Sequence, residues 1–454
     1  MPLSSNSSDR YYAEAFFLLL LTIAVYGKAL WFVPSSGDDL RILSSVSQTR
    51  NPLSYFVNDW GMENTYRLGS GQIDSRRRSY RPLHSVSIWM GYRLFGVRAG
   101  PNQLVNLVLH ILNGLLLLRI LRRLGLDVFL ALLLATLGMV SLYTASPAIW
   151  VSDRQTLGVT LAALVLLNHV VDEKGQLTAW LNPWLVTGLT VVAVSFKESG
   201  LIVPLVAGAF VILAPYHGAR WRPLAVSVVL VASYISLRVL LFGSNAFAYA
   251  SEGFVFGNHP YTLLSDLPWH IGLWARFENV AKNFLCVFIP IVDPVGRIDS
   301  LNEVIRNVVW WLPTVVLTIS VTRRPLTRVQ WLALAVIALN SGLHVQVFRY
   351  RVEYISQLAF SIYVAASPIW HERHNVSEIV SRRRLAAICC GLLALVSVSQ
   401  VNHYIQSNWV ERQDEMTKRR LATVLQNYPI SDDIVRQVLA RYAPTAETSS
   451  AKAP

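Results

Sequence analysis

Two adjacent carboxylates follow the first long apolar run of the chain, in the segment Gly37-Asp38-Asp39-Leu40-Arg41. An acidic pair at the mouth of a helix can supply a general base or part of a divalent-cation site. The alternative is that both are solvated loop acids without a chemical role. The sequence requires no cofactor and no metal, and a divalent cation at Asp38 and Asp39 is the one candidate.

Cations occur in five separate turns or loops that we expect on the same side of the molecule as this pair. They are Arg41, Arg81, Arg154, Lys197, and Arg349 with Arg351. Several cations around an acidic pair suit a phosphate-bearing substrate, because charge-assisted hydrogen bonds hold phosphate oxygens and stabilise a departing phosphate. Each cation could instead be a headgroup anchor, which is the commoner role of a lone charge at a helix end.

The remaining chemistry in the sequence is sparse. It contains no GxSxG, HExxH, Walker A or Rossmann pattern. A glycosyl phosphate would suit this inventory, since phosphate leaves without a general acid and one base activates the incoming hydroxyl. Further candidates for substrate contact lie in the same loops and turns: Arg41, Asp59, Trp60, Tyr80, His84 and Glu198.

Composition fixes the class of protein that carries these residues. Of 454 residues, 53% are hydrophobic and 15% are charged, which excludes a soluble enzyme and a disordered chain. The net charge of +13 would suggest nucleic acid in a soluble protein, but basic loops facing anionic lipid explain it here. The three cysteines lie in apolar stretches, so they predict neither a disulfide framework nor a zinc site.

Apolar runs long enough to cross a bilayer, about 17–25 residues each, predict an all-α polytopic membrane protein with about 11 transmembrane helices. The predicted spans are 12–33, 103–121, 127–145, 155–171, 182–196, 199–214, 224–242, 308–322, 330–347, 353–370 and 385–401. Within the second span, Asn106, His110 and Asn113 share one helical face, which favours interhelical hydrogen bonds over catalysis.

Short basic loops predict the orientation of these spans. Their arginines are Arg119, Arg122, Arg123, Arg220, Arg222, Arg323, Arg324, Arg328, Arg382, Arg383 and Arg384. The positive-inside rule makes their side cytoplasmic, so the N-terminus is predicted inside and the C-terminus outside. This count requires residues 276–292 to be re-entrant or to lie along the membrane surface.

The predicted organisation is a transmembrane domain over 1–401 and a short extracytoplasmic helical tail over 402–454. Two long segments of the domain face outward. They are a first loop with surface helices at 34–102 and a second, partly re-entrant segment at 243–307. The basic cluster Arg76–Arg78 then lies outside, where it contacts headgroups or an anionic substrate.

Several segments resemble one family in the same order. They are GDDLRIL, NDWG (58–61), SYRPL (79–83), RLFG (93–96), LVNLVLHILN (104–113), SDRQTLGVTLAALVLL (152–167), SFKESGLIV (195–203) and FRYRVEYISQLAFSIYVAA (348–366). This order is similar to the GT-C glycosyltransferases, closest to the transmembrane-and-TPR-containing and protein O-mannosyltransferase group. Three features depart from that group: Ser146-Pro147-Ala148 replaces its usual HTE, Arg351-Val352-Glu353 shifts its ERY-type segment, and the TPR array is missing.

The resemblance implies a polyprenyl-phosphate sugar donor, an extracytoplasmic active site and inversion at the anomeric carbon. It places Asp38 near the acceptor hydroxyl with Asp39 as the second acid. It places Lys197, Arg349 and Arg351 at the donor phosphate. We assign Arg81 and, more weakly, Arg154 to the same phosphate because they lie in the same outer loops and turns. Because the TPR array is absent, a glycan or lipid acceptor becomes as plausible as a protein, and a bacterial inner membrane is favoured.

The leading hypothesis is therefore a membrane glycosyltransferase that moves a single sugar to an acceptor hydroxyl, with membrane lipids and no nucleic acid as partners. One rival is a flippase or transporter of a lipid-linked or anionic solute, which would be expected to show internal repeats and midplane charges. Another is an oligosaccharide ligase or polymerase that uses a polyprenyl carrier.

Overall fold

The apolar runs of the sequence form helices that begin and end where polar or helix-breaking residues interrupt them. The computed structural model describes residues 6–31, 37–57, 66–67, 73–74, 80–178, 180–214, 221–242, 254–256, 259–262, 269–288, 301–322, 325–344, 353–370, 377–405, 434 and 436–437. The helices there are α1 (Asn6–Tyr26), α2 (Gly37–Gln48), α3 (Ser54–Val57), α4 (Pro82–Phe95), α5 (Ala99–Arg123), α6 (Val128–Met139), α7 (Leu142–Ile149), α8 (Arg154–Val170), α9 (Pro183–Phe196), α10 (Ile202–Leu213), α11 (Trp221–Phe242), α12 (Trp269–Phe288), α13 (Leu301–Thr322), α14 (Arg328–Leu343), α15 (Tyr354–Ala365) and α16 (Ser377–Ile405).

Two short antiparallel hairpins lie in the segments predicted to face outward. In the first, β1 (Tyr66–Arg67) pairs with β2 (Ile73–Asp74). In the second, β3 (Phe254–Phe256) pairs with β4 (His259–Thr262). The all-α prediction therefore holds for the bundle, and these hairpins add to it.

Within the described residues, every predicted span is largely helical. By length and apolar composition, three helices of the described part can each cross a bilayer, namely α5, α11 and α16, and α6 with α7 adds a fourth if they form one bent span. Shorter apolar helices make up most of the rest of the bundle. The chain is an integral membrane protein, and the count of eleven crossings with its orientation stays a prediction.

The span predicted at 127–145 is not one continuous helix. It breaks at Val140 and Ser141, where Ser141 has an extended backbone and forms a capping box with Thr144 at the start of α7. The Thr144 hydroxyl also donates to the Met139 carbonyl at 2.7 Å. A capping box satisfies amides that the break leaves without helical partners, so hydrogen bonding at Ser141 and Thr144 stabilises the break.

One end of the bundle collects the basic turns, and we call it the basic end. Arg122 at the end of α5 pairs with Glu14 near the start of α1 at 3.3 Å, and Arg383 of α16 lies 3.8 Å from Asp127 before α6. The Thr327 hydroxyl, which caps α14, donates to the Ala366 carbonyl after α15 at 3.2 Å. These contacts connect the end of α5 with α1, the start of α6 with α16, and the start of α14 with the end of α15.

The opposite end, which we call the polar end, is where α5 and α8 begin and where α9 gives way to α10. Between the two ends, buried polar side chains of α5 form hydrogen bonds with other helices. Asn106 donates to the Trp150 carbonyl at 2.7 Å, and His110 Nδ1 lies 2.6 Å from the Tyr354 hydroxyl. Asn113 donates to the Leu157 carbonyl at 3.2 Å, so this polar face of α5 makes interhelical hydrogen bonds, as predicted.

Helix α12 covers most of the segment predicted to be re-entrant. Its Asn283 amide donates to the His344 carbonyl at the end of α14, at 3.3 Å. Five residues further, Phe288 packs edge-on against Phe360 of α15, with ring centroids 5.6 Å apart. The end of α12 thus lies among the bundle helices, and its re-entrant character stays a prediction.

Candidate functional site: a charged cluster at the polar end

Two arginines share one glutamate at the polar end, and we call Arg81, Glu198 and Arg238 the arginine–glutamate triad. Arg81 donates from Nε at 3.0 Å and from Nη2 at 2.8 Å to Glu198 Oε2. Arg238 Nη1 lies 3.3 Å from Glu198 Oε1. The three side chains are 11–13% exposed, so the triad is largely buried and carries one net positive charge.

Three different parts of the chain deliver these side chains. Arg81 directly precedes Pro82, whose fixed φ favours the first position of α4. Glu198 opens the 3₁₀ turn Glu198–Leu201 between α9 and α10. Arg238 lies one turn before the end of α11 and donates to the Tyr234 hydroxyl at 3.3 Å. The triad therefore fixes the positions of α4, the α9–α10 turn and α11 relative to one another.

The electrostatics of the triad favour the ionised carboxylate. Burial would raise the pKa of Glu198, but the charges of Arg81 and Arg238 and the hydrogen bonds from Arg81 lower it to about 2. Two desolvated guanidinium groups beside one carboxylate retain an excess of positive charge at neutral pH. An anion that reaches them would gain charge-assisted hydrogen bonds.

Lys197 stands next to Glu198 and extends the cluster toward α8. It is 6% exposed, and its Nζ donates to the Thr156 hydroxyl at 3.3 Å. Thr156 in turn donates to Asp153 Oδ1 at 3.5 Å. The turn between α9 and α10 therefore brings Lys197 to the start of α8.

Arg154 is fully buried and binds other parts of the protein. Its Nε donates to Asn106 Oδ1 at 2.8 Å, its Nη1 to the Ser87 carbonyl at 2.8 Å, and its Nη2 to the Asn102 carbonyl at 2.7 Å. Gly91 leaves room for this arrangement, since a Cβ there would lie 2.1 Å from Asn102 Oδ1. The geometry gives Arg154 a positioning role, holding α4 against α5 and α8, and its phosphate contact stays a prediction.

The acidic pair lies on α2, and its helix is placed although its side chains are not described. Ile42, Leu43 and Val46 of α2 are buried against Ile88 of α4. The segment carrying Asp38, Asp39 and Arg41 therefore belongs to the helix that packs on α4, the helix that begins beside Arg81. The roles of Asp38, Asp39 and Arg41 stay predictions.

The other predicted contacts fall into two groups. Tyr80 is half-buried, its hydroxyl lies 3.5 Å from the Phe56 carbonyl, and burial raises its pKa. His84 is completely buried on α4. The rest lie outside the described residues: Asp59, Trp60, Arg349 and Arg351. Within the described part, no group of three or more His, Cys, Asp or Glu could hold a metal. The side chains of Asp38 and Asp39 lie outside that part, so the cation at this pair stays a prediction.

Sequence reasoning missed Arg238. It lies inside an apolar run that reads as an ordinary span, yet a guanidinium in such a run is costly unless a partner satisfies it. An arginine in an apolar run therefore indicates a buried partner, and in the structure that partner is Glu198.

No protein-family model and no curated protein matches the chain. A similar solved structure is the single-particle cryo-EM structure of the arabinofuranosyltransferase AftD from mycobacteria, with 14% identity and a TM-score of 0.43. The similarity covers 88% of this chain and 27% of that chain. A likeness of this extent shows neither a shared fold nor a shared reaction.

Close packing of the α9–α10 turn depends on Gly200. A Cβ at this position would lie 2.2 Å from the Ala193 carbonyl carbon and 2.4 Å from the Val194 nitrogen, so backbone would have to move. We expect Gly200→Ala to lower the free energy of unfolding by about 1–3 kcal/mol, measured by thermal unfolding in detergent. Gly188→Ala in α9 is the matched control, since a Cβ there meets no described atom within 4 Å. Equal stability of the two variants would contradict the tight turn.

Proposed function

We propose that this protein is a membrane glycosyltransferase of the GT-C type. It would move a single sugar from a polyprenyl-phosphate carrier to an acceptor hydroxyl at the extracytoplasmic face, with inversion. The observation that carries the proposal is the arginine–glutamate triad with Lys197 beside it, at the end of the bundle opposite the basic turns. We further propose that it is similar to the O-mannosyltransferase subgroup, that it lies in a bacterial inner membrane, and that its acceptor is a glycan, a lipid or a protein.

The donor phosphate is assigned to the cations of this cluster. Arg81, Arg238 and Lys197 come from three turns or helix ends that converge on Glu198, and each is at least four-fifths buried. A site of low polarity strengthens their attraction for a phosphate oxygen. As the bond from the anomeric carbon to phosphate oxygen breaks, the same groups would stabilise the charge that develops on phosphate. Arg349 and Arg351 are proposed to add to this site.

The base of the reaction is assigned to Asp38. The acceptor oxygen attacks the anomeric carbon from the face opposite the phosphate, which inverts the configuration, and its proton passes to the carboxylate. The electron pair of the broken bond stays on the carrier phosphate. Asp39 would orient Asp38 or hold a divalent cation. The packing of α2 on α4, the helix that begins beside Arg81, supports this assignment.

The test uses full-length protein in lipid nanodiscs with a polyprenyl-phosphate sugar labelled in the sugar, and with membrane lipid and glycan extracts as acceptors. We expect labelled product together with free polyprenyl phosphate. Release of a carrier pyrophosphate from a pyrophosphate-linked donor would indicate a ligase or polymerase, and movement of intact donor between leaflets would indicate a transporter.

A matched pair of arginine variants connects that activity to the triad. Arg81→Leu should lose at least about tenfold in transfer, because a charge-assisted contact contributes about 1.5–3 kcal/mol. Arg93→Leu is the control on the same helix, since Arg93 is exposed and rests on the Trp89 ring with its guanidinium carbon 5.4 Å from the ring centroid. Equal activity of both variants would remove the phosphate assignment of Arg81.

A further inference from the structure

A completely buried carboxyl group stands at the start of α15, outside the triad. Glu353 is 0% exposed, and its Oε2 accepts from the Asn340 amide of α14 at 3.2 Å. The same amide also donates to the Ser356 hydroxyl at 3.0 Å. Glu353 Oε1 is buried, and within the part of the chain that the structure describes it meets no hydrogen-bond donor.

A second unpartnered acceptor belongs to the same cluster. His344 at the end of α14 has Nδ1 2.9 Å from the Asn340 carbonyl oxygen. A carbonyl can only accept, so Nδ1 carries the proton and Nε2 of the neutral ring is an acceptor. This Nε2 is buried, and among the described residues no donor reaches it. Asn340 thus contacts both groups, Glu353 through its side chain and His344 through its backbone.

Residues from α12 and the α9–α10 turn complete the surroundings. Asn283 of α12 donates to the His344 carbonyl at 3.3 Å, and Cys286 on the next turn of α12 lies near Glu353. His344 is close enough to Lys197 and Glu198 for their charges to act on it. His344 therefore adjoins the cations assigned to phosphate, and Asn340 connects His344 to Glu353.

We infer that Glu353 and His344 form a subsite that binds hydroxyl groups of the transferred sugar. A buried acceptor without a donor is costly, and a hydroxyl is a donor of the right kind. An ammonium group would also donate, but Lys197 beside His344 repels a second cation, so a neutral hydroxyl fits better. The inference rests on the proposed function, because it extends the phosphate site to the sugar attached to that phosphate.

The experiment measures binding of full-length protein in nanodiscs to two kinds of lipid: bare undecaprenyl phosphate and undecaprenyl-phosphate mannose, glucose or galactose. We expect wild-type protein to bind at least one sugar-bearing lipid more tightly than the bare lipid. Glu353→Gln and His344→Asn should each lower the affinity for that preferred lipid by about 10- to 100-fold. The affinity for the bare lipid should stay within about twofold of wild type, because only the sugar contacts are lost.

Glu14→Gln is the matched control, since Glu14 is also a buried carboxylate, 2% exposed, but lies at the basic end. Its affinity for both lipids should equal that of wild type. The subsite is overturned if wild-type protein binds all these lipids equally, or if the two variants weaken both kinds of lipid alike. If wild-type protein binds none of these lipids, the proposed polyprenyl-phosphate donor is wrong and the subsite with it. Failure of the proposed function can therefore be told from failure of the subsite alone. Where a variant does not fold, equal binding of all the lipids by wild-type protein still overturns the subsite, and a preference for one sugar-bearing lipid still supports a sugar site.

Discussion

Glu198→Gln is expected to lower the free energy of unfolding by about 3–5 kcal/mol at pH 7, because it leaves two buried guanidinium groups without their carboxylate. Arg81 and Arg238 are 12% and 11% exposed, so water can replace only a small part of the lost interaction. The size of the effect is set by desolvation of the arginines more than by the strength of either hydrogen bond. Chemical unfolding in detergent, monitored by tryptophan fluorescence, measures it.

The effect should also depend on pH in a way that identifies the carboxylate. The arginines lower the pKa of Glu198 from 4.5 to about 2. A depressed pKa in the folded state contributes stability that is present above the unfolded pKa and is lost as pH falls through the folded one. The difference between wild type and Glu198→Gln should therefore be constant above about pH 5 and shrink between pH 4.5 and 2.

The control for this variant is Glu278→Gln in α12. Glu278 pairs with Lys282 four residues later, and the two side chains are partly exposed to solvent, 31% and 43%. An exposed pair of this kind contributes about 0.3–0.5 kcal/mol, so the control should be nearly neutral. Equal losses for the two variants, or a Glu198→Gln loss that persists unchanged at pH 2, would contradict a buried, ionised triad.

The positions of the helices could be predicted well from the sequence, because bilayer-length apolar runs have few other outcomes. The span predicted at 182–196 is α9, Pro183–Phe196, where Asn182 caps the helix and Pro183 occupies its first position. The break at Val140 and Ser141 could not be predicted with the same ease. Apolar character runs across it, and the capping box that marks it depends on a local choice of backbone conformation.

Only some residues of the charged cluster could be predicted, because a sequence shows charges but not which helices pair. Lys197, Glu198 and Arg81 interrupt apolar runs or begin a helix, and such charges are visible in a sequence. In the sequence Arg154 looks like Arg81. Only the structure shows that all three of its guanidinium nitrogens donate to other parts of the protein. Arg238 and Glu353 needed the three-dimensional pairing of helices, since their partners, Glu198 and Asn340, are on other helices.

Asp38→Asn is expected to reduce transfer by about 10²- to 10⁴-fold, the contribution of a positioned general base. Asparagine keeps the size of the side chain but cannot take the proton of the acceptor hydroxyl. Because the donor phosphate is assigned to Arg81, Arg238 and Lys197, affinity for the donor should stay within about twofold of wild type, since no phosphate contact is removed. Single-turnover transfer in nanodiscs and donor binding, measured on the same preparation, separate the two quantities.

Asp39→Asn is the matched comparison, with the same change of charge one residue later on α2. One positioned carboxylate is enough to take the proton of one acceptor hydroxyl. A base at Asp38 therefore predicts a smaller loss for Asp39→Asn, and a cation held by the pair predicts losses in both that added Mg²⁺ or Mn²⁺ partly restores. Anchoring of α2 through Ile42, Leu43 and Val46 against α4 should keep both variants folded. Transfer by Asp38→Asn at the wild-type rate would exclude Asp38 as the base and leave the cation cluster without its catalytic partner.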